Sequence, residues 1–156
     1  MKLFEEKPVI EIKILRQDIY ETPPEYKTEG AAAVDLRACN AAPVSVHPGL
    51  NVLIPTGIAI SINDKNIVGI LSGRSGIALK NNVSAGNGIG VIDSDYHGEI
   101  GLIASNTGNS SYVIHPGERV AQLQFIPVLQ VEWKQVSEFS VATDRGENGF
   151  GSTGDR

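Results

Sequence analysis

The chain has 156 residues, enough for one domain with a sizeable core, and its net charge of −5 argues against DNA or RNA as a partner, because a polyanion would be repelled. Its single cysteine, Cys39, excludes an internal disulfide, and no cysteine and histidine cluster has zinc-site spacing. No apolar run resembles a signal peptide or a membrane span, so we expect a cytoplasmic protein with no membrane partner.

Short apolar runs separated by glycine, proline and asparagine predict an all-β fold. The runs that we interpret as strands are 10–14, 52–54, 58–62, 67–71 and 120–125. Many short strands divided by turn signals favour a sandwich or barrel, such as a jelly-roll-like distorted barrel. The His-Pro-Gly triplets at 47–49 and 115–117 predict type II turns, so both histidines are interpreted as turn residues and not as metal ligands.

One segment, 74–80, is predicted to form a short helical turn. Ser75 is placed at the N-cap, and Asn81-Asn82 ends the helix. The N–H groups and positive dipole end of a helix start, together with the Arg74 guanidinium and the Ser75 hydroxyl, would bind a phosphate. The alternative is that Ser75 only caps the helix and that Arg74 is a solvated charge.

The segment 90–100 places two aspartates and a tyrosine in one tight turn. The apolar residues on both sides predict the arms of a β-hairpin, for which Gly90 and Gly98 supply backbone freedom. Asp93 would then lie at a strand end beside the ring of Tyr96, as suits a general base that takes a proton from water next to a ring-shaped substrate. The alternative is an Asp-rich solvated turn.

The end of the chain predicts a flexible, glycine-rich arm at 141–156, after a β-barrel domain at 1–140. Residues 145–154 contain four glycines and one apolar side chain, Phe150, and cannot fold alone. A phosphate-wrapping backbone, the Arg145 guanidinium and the hydroxyls of Ser152 and Thr153 would close over a nucleotide when it binds. The alternative is an ordinary disordered terminus.

Five segments, taken together and in order, resemble the sequence motifs of the trimeric dUTP diphosphatase (dUTPase) family. They are 30–38, 73–76, 90–98, 117–122 and the tail. The resemblance implies a jelly-roll subunit that forms a homotrimer. It also implies that each active site is built from three chains, with the arm of one chain closing a site formed by the other two.

The resemblance implies hydrolysis of dUTP to dUMP and pyrophosphate, which keeps uracil out of DNA and supplies dUMP for thymidylate synthesis. Asp93 is implied to activate water for in-line attack on the α-phosphorus. Tyr96 is implied to pack under the deoxyribose and leave no room for a 2′-hydroxyl, and Asn87 to read the uracil edge together with main-chain groups. A single displacement by water agrees with the absence of any residue that looks like an activated covalent nucleophile.

The triphosphate is implied to lie against Arg74, Ser75 and Gln122, so that Ser75 and Gln122 act with Asp93 as catalytic residues. The arm is implied to reach the γ-phosphate and to stack on the base through Phe150. The full set of implied substrate-binding residues is Arg74, Ser75, Gly76, Asn87, Gly90, Val91, Ile92, Asp93, Tyr96, Gln122, Arg145, Phe150, Gly151, Ser152 and Thr153.

The implied cofactor is Mg²⁺, held largely by substrate oxygens and water, with Asp35 supporting that shell only indirectly through water. Two other functions stay open. One is a dCTP deaminase of the same fold, although Asp95-Tyr96 after Asp93 favours the diphosphatase. The other is a dUTP-responsive regulatory binding protein, for which the short polar loop 105–111 offers little surface.

Three positions depart from the pattern of the family. Ser72-Gly73 stands where proline is common, and Ala33 replaces a common glycine, so the local backbone stiffness is expected to differ. His97 stands where arginine or glutamine is frequent, so the phosphate or subunit contact that the family pattern implies for that position is not carried over to this chain. None of the three departures removes a proposed catalytic group.

Overall fold

The computed structural model describes residues 7–148. Within that range the chain forms ten strands and one short helix. In chain order they are β1 (Glu11–Ile14), β2 (Val34–Arg37), β3 (Val44–Val46), β4 (Asn51–Ser61), β5 (Ile67–Gly73), α1 (Ser75–Asn81), β6 (Val83–Ala85), β7 (Gly90–Ile92), β8 (Glu99–Asn106), β9 (Tyr112–Ile114) and β10 (Arg119–Pro127).

The strands form two four-stranded sheets and one two-stranded sheet. The first has the order β1-β4-β8-β6, the second β2-β10-β5-β7, and the third pairs β3 with β9. Every pairing is antiparallel. Buried side chains from all three sheets, such as Ile54, Leu71 and Ile114, form one core. The all-β, jelly-roll-like fold with one helical turn is therefore confirmed.

The predicted runs 52–54 and 58–62 belong to one strand, β4, which is irregular at Gly57. The register with β8 shifts between Pro55 and Ala59, and Gly57 has a φ of 67°. A Cβ at this glycine would lie 2.6 Å from Cys39 Sγ, and its N–H donates to Glu99 Oε1 at 2.7 Å. A larger residue at position 57 would therefore have a strained backbone and would clash with the buried side chain of Cys39.

Both His-Pro-Gly triplets form the predicted type II turns. The glycines of 47–49 and 115–117 have φ values of 75° and 82°. In each turn the next residue donates its N–H to the histidine carbonyl at 3.1 Å. The left-handed conformation at the third residue is the one that glycine adopts without steric cost.

The predicted hairpin across 90–103 is wrong. Strand β7 pairs with β5, whereas β8 pairs with β4 and β6, so the turn 93–98 crosses from one sheet to the other. The backbone freedom expected of Gly90 and Gly98 is also not used, since neither has a positive φ. Instead, a Cβ at Gly90 would lie 3.2 Å from Leu71 Cβ, which indicates that this glycine allows close strand packing.

The regular structure ends at Pro127, and residues 128–148 are exposed and contain neither helix nor strand. Val128 is still attached to the body, because its N–H donates to Asn66 O at 2.8 Å. The arm predicted at 141–156 extends beyond the described residues. In the described part of the chain, no helix is long and apolar enough to cross a membrane.

Candidate active site

The carboxylate of Asp35 accepts hydrogen bonds from three side chains. Arg74 Nε donates to Oδ1 at 3.1 Å, Gln122 Nε2 donates to the same oxygen at 3.3 Å, and Arg119 Nη1 donates to Oδ2 at 3.0 Å. We call these four residues the Asp35 cluster. Two guanidinium groups on one carboxylate leave one positive charge in excess, so the cluster attracts anions.

Strand pairing explains why these residues meet. Asp35 on β2 is the register partner of Gln122 on β10, and Gln122 is in turn the partner of Ser72 on β5. Arg74 follows β5 directly, and its Nη1 also donates to Arg119 O at 3.3 Å. The cluster is therefore built across three adjacent strands of one sheet, which hold its members at fixed positions.

Helix α1 begins beside this cluster, but not as predicted. Arg74 occupies the N-cap in an extended conformation without a side-chain capping bond, and Ser75 is the first helical residue. Ser75 and Gly76, which follow Arg74 directly, are exposed, and Ser75 is not the N-cap residue. The predicted stop is confirmed, since Asn82 is the C-cap with a φ of 55°.

Asp93 directly follows β7 and is exposed, which confirms its predicted position at a strand end. Its carbonyl accepts the N–H of Tyr96 at 3.1 Å, and this bond closes the turn. The Tyr96 hydroxyl donates to Glu99 O at 3.1 Å, which ties the aromatic ring to the start of β8. The carboxylate and the phenol are thus presented by the same turn.

Asn87 lies at the exposed tip of the turn between β6 and β7. Gly86 N–H donates to Ile103 O at 2.7 Å, and Gly88 N–H donates to Ala85 O at 3.0 Å, so the turn is anchored at its base. Strand β7 follows at the edge of its sheet, where its outer main-chain groups face solvent. The predicted residues from Asn87 to Asp93 therefore lie along one edge, on which Asn87, Val91 and Asp93 are exposed and Gly90 and Ile92 are partly buried.

The turn carrying Asp93 and the Asp35 cluster lie at different places in a single chain. Ile92 pairs with Gly69 on β5, whereas Gln122 pairs with Ser72 on that same strand. Continuing the register places Asp93 beside Val68, about 13 Å along the strand from the level of Gln122. One chain therefore brings together Arg74, Gln122 and Asp35, but does not bring Asp93 to them.

Two tyrosines, the buried Tyr20 and the partly buried Tyr112, hold the strands that carry the cluster. The hydroxyl of Tyr20 accepts the N–H of Arg37 on β2 at 2.6 Å, and Arg37 Nη1 donates to Gly117 O at 2.7 Å. The hydroxyl of Tyr112 donates to the carboxylate of Glu118, just before β10. Burial raises the pKa of each tyrosine to about 12, with the Glu118 carboxylate adding to the effect at Tyr112.

The remaining predicted residues lie in the arm. Arg145 Nε donates to Asn148 O at 3.0 Å within the exposed segment after β10. Phe150, Gly151, Ser152 and Thr153 lie outside the described residues.

Sequence reasoning missed Arg119, although it stands inside the segment 117–122. His97, which departs from the family pattern, has its Nε2 3.1 Å from Ser61 Oγ.

A family model described as dUTPase matches residues 20–154 of the chain. The deoxyuridine 5′-triphosphate nucleotidohydrolase of Acinetobacter baylyi is 47% identical over 149 residues, which cover 94% of this chain and 99% of that protein. The enzyme of the same name from Leptothrix cholodnii is 48% identical over 145 residues, with coverages of 93% and 96%.

Solved structures give the same assignment of fold. The dUTPase of Staphylococcus bacteriophage 80alpha with dUPNHPP superposes with a TM-score of 0.84 at 30% identity, over 95% of this chain and 99% of that one. A mutant dUTPase from phage phi11 of S. aureus, described as revealing the coordination of a structural Mg(II) ion, superposes with a TM-score of 0.75 at 26% identity, over 85% of this chain and 99% of that one.

Proposed function

Since the chain belongs to the dUTPase family and hydrolyses dUTP to dUMP and pyrophosphate, we propose that Asp93 activates the water while the Asp35 cluster of a second copy holds the triphosphate. One observation carries this proposal. The single chain presents the turn of Asp93 and the cluster about 13 Å apart along β5, which supports a site that is completed by another copy.

Asp93 supplies the base. Its exposed carboxylate takes a proton from water, and the water oxygen forms a bond to the α-phosphorus as the bond from that phosphorus to the bridging oxygen breaks. Pyrophosphate leaves with the electron pair of the broken bond, and dUMP remains. Because no covalent enzyme intermediate is needed, positioning and charge stabilisation provide the rate enhancement.

The Asp35 cluster supplies the charge stabilisation. The Arg74 guanidinium and the Gln122 amide are already oriented by hydrogen bonds to Asp35, so little side-chain freedom is lost when phosphate binds. The exposed Ser75 hydroxyl lies next to Arg74 and would donate to the leaving pyrophosphate. Arg119 adds a second positive charge, although sequence reasoning did not select it.

The edge from Asn87 to Tyr96 supplies recognition. Main-chain groups of β7 and the Asn87 amide are exposed and would pair with the uracil edge, as an edge strand pairs with another strand. The exposed Val91 and half-buried Ile92 provide apolar contacts beside the base. The Tyr96 ring would lie under the deoxyribose, where a 2′-hydroxyl has no space.

Residues near the cluster fit Mg²⁺ that is held mainly by the substrate. No group of three or more histidine, cysteine or acidic side chains converges among residues 7–148. Asp35 accepts three hydrogen bonds, which leaves about one of its roughly four lone-pair positions for a water molecule. This agrees with the coordination preference of Mg²⁺, which binds substrate phosphates and water and uses few carboxylates. When bound, the ion would neutralise phosphate charge.

Two further features support a homotrimer whose arms reach neighbouring copies. Leu53 and Ile103 are register partners on the outer face of the β4–β8 pair, and both are exposed. Apolar residues at 129, 131 and 133 alternate with polar ones, as in a half-buried strand, yet Trp133 is 93% exposed. Both surfaces would be covered in an assembly. Arg145, Phe150, Gly151, Ser152 and Thr153 would then complete a neighbour's site.

The alternatives identified from the sequence are not favoured. A dCTP deaminase would release ammonia from dCTP, whereas the relatives found are nucleotidohydrolases of deoxyuridine triphosphate. A regulatory binding role would require an exposed insertion, and the loop 107–111 between β8 and β9 is short. The buried free thiol of Cys39 and a charged nucleotide substrate support a cytoplasmic location.

The direct test measures pyrophosphate release from dUTP, UTP, dCTP and dTTP, with and without Mg²⁺, for the wild type, Asp93→Asn and Asp95→Asn. Asp93→Asn should bind dUTP but hydrolyse it on the order of 10²–10⁴ more slowly, the range for a lost general base. Asp95→Asn removes an exposed carboxylate from the same turn and should retain most of the activity. Undiminished turnover of Asp93→Asn would remove Asp93 from the role of base.

A further inference from the structure

The Tyr96 ring lies directly against Gly98, two residues further along the same turn. A Cβ at Gly98 would lie 2.6 Å from Tyr96 Cζ, 3.0 Å from Cε2, and closer still to the hydroxyl oxygen. These distances are far inside van der Waals contact, which for carbon atoms is optimal at about 3.5–4.0 Å. The ring therefore occupies the space that any side chain at position 98 would need.

Backbone conformation does not explain the glycine. Gly98 is not among the glycines with positive φ, so its conformation is open to other residues. The three atoms nearest to a Cβ at this position all belong to the Tyr96 side chain. Because Gly98 has no side chain, the phenol of Tyr96 can pack directly on its backbone.

We propose that Gly98 is a specificity-determining residue that acts by positioning Tyr96. The ring has two restraints, namely the surface of Gly98 below it and the hydrogen bond from its hydroxyl to Glu99 O at 3.1 Å. Together they fix the height of the ring relative to the turn, and hence the space left for the sugar. This inference rests on the proposed role of Tyr96 under the deoxyribose.

The effect of a side chain at position 98 should fall on selectivity and not on folding. Tyr96 is 45% exposed, so its ring can swing into solvent without disturbing the core. If a side chain at position 98 displaces the ring, the hydrogen bond from Tyr96 to Glu99 O is lost and the space beside the sugar becomes larger. A ribonucleotide would then be tolerated better than before, while Asp93 would stay in place.

The experiment compares kcat/KM for dUTP and UTP in Gly98→Ala, Tyr96→Ala and the double variant. We expect Gly98→Ala to reduce the dUTP-to-UTP preference by about tenfold, within the roughly 10²-fold cost that rejection of one added hydroxyl can reach. Its thermal midpoint should stay near that of the wild type. Gly30→Ala is the matched control, because a Cβ there meets nothing within 4 Å.

The double variant distinguishes positioning from a merely structural role. If Gly98 acts only through the ring, Gly98→Ala adds nothing to the selectivity change of Tyr96→Ala, and the two effects are non-additive. Equal losses of kcat/KM for dUTP and UTP, additive effects, or a Gly98→Ala protein that does not fold would each overturn the inference. If Tyr96→Ala itself leaves selectivity unchanged, the proposed function of Tyr96 fails. If Tyr96→Ala changes the selectivity but Gly98→Ala leaves it unchanged, the proposed function of Tyr96 stands and the role of Gly98 fails.

Discussion

Arg74 Nε lies 3.1 Å from Asp35 Oδ1, so the residue that follows β5 is tied to a strand on the far side of β10. Asp35 is mostly buried, with 12% of its side chain exposed, whereas 26% of the Arg74 side chain is exposed. The carboxylate thus acts as an internal support, and the guanidinium faces outward from it. Asp35 is therefore an anchor for Arg74, Arg119 and Gln122, the side chains proposed to bind the triphosphate.

Asp35→Asn should therefore impair phosphate binding. The amide removes the charge at nearly constant size and replaces one of the two acceptor oxygens with an N–H donor, so Arg74, Arg119 and Gln122 would share one neutral oxygen. We expect kcat/KM for dUTP to fall by about 10²-fold, the scale of a displacement of catalytic groups by about 1 Å. Steady-state rates of pyrophosphate release measure this fall in kcat/KM. Asp18→Asn is the control, because Asp18 is an exposed partner of Arg16, and an equal loss there would contradict the anchor.

The stability of the protein should decrease in strongly basic solution. The pKa values of Tyr20 and Tyr112 are raised from 10.0 to about 12, so folding favours the neutral phenols. This stabilisation is complete below the unfolded pKa and is lost as the pH rises through the folded pKa. The free energy of unfolding, measured by urea titration, should fall between pH 10 and 12. The double variant Tyr20→Phe/Tyr112→Phe should flatten this slope, and an unchanged slope would contradict the assignment.

Ending the chain after Asp144 should separate activity from folding. Residues 128–148 are exposed and outside the strands, so the described residues that are removed, 145–148, contribute nothing to the core. The free energy of unfolding should change by less than about 0.5 kcal/mol, as for surface changes. Turnover of dUTP should nearly vanish, because closure over the nucleotide is lost. A truncated protein with a melted body, or with full turnover, would contradict the role of the arm.

The free energy of unfolding should depend on the side chain at position 82, where helix α1 ends. This C-cap has a φ of 55°, and its carbonyl accepts the N–H of Thr107 at 3.0 Å. Asn82→Ala should cost about 1–2 kcal/mol of unfolding free energy, the penalty for a left-handed conformation without glycine or asparagine. Asn82→Gly should cost less. Asn81→Ala, inside the helix, is the control, and a loss there equal to that of Asn82→Ala would contradict the capping argument.

Local signals predicted much of the fold. Proline followed by glycine specified both type II turns, because proline fixes φ at the second residue and glycine adopts a positive φ at the third without steric cost. Apolar runs located β1, β4, β5 and β10, although two runs proved to be one strand joined at Gly57. The irregularity there depends on Cys39 and Glu99, which are distant in sequence. No local pattern could reveal it.

Pairing between distant segments explains what sequence reasoning missed. The hairpin prediction failed because an apolar pattern identifies a strand but not its partner, and β7 and β8 join different sheets. Arg119 was missed since an exposed arginine on a strand looks like a solvated charge. Its role depends on Asp35, which is 84 residues away in the chain. The separation of Asp93 from the cluster also becomes visible only in the folded chain.

Subunit complementation tests the shared site most directly. Asp93→Asn and Arg74→Ala, each inactive alone, are mixed in equal amounts, unfolded, refolded together and assayed for pyrophosphate release from dUTP. A site that takes its base from one copy and its cluster from another predicts recovery of about a quarter of wild-type activity by random assembly. Refolding Asp93→Asn with the Asp93→Asn/Arg74→Ala double variant should restore none. Activity of the first mixture no higher than that of its components would contradict a site shared between copies.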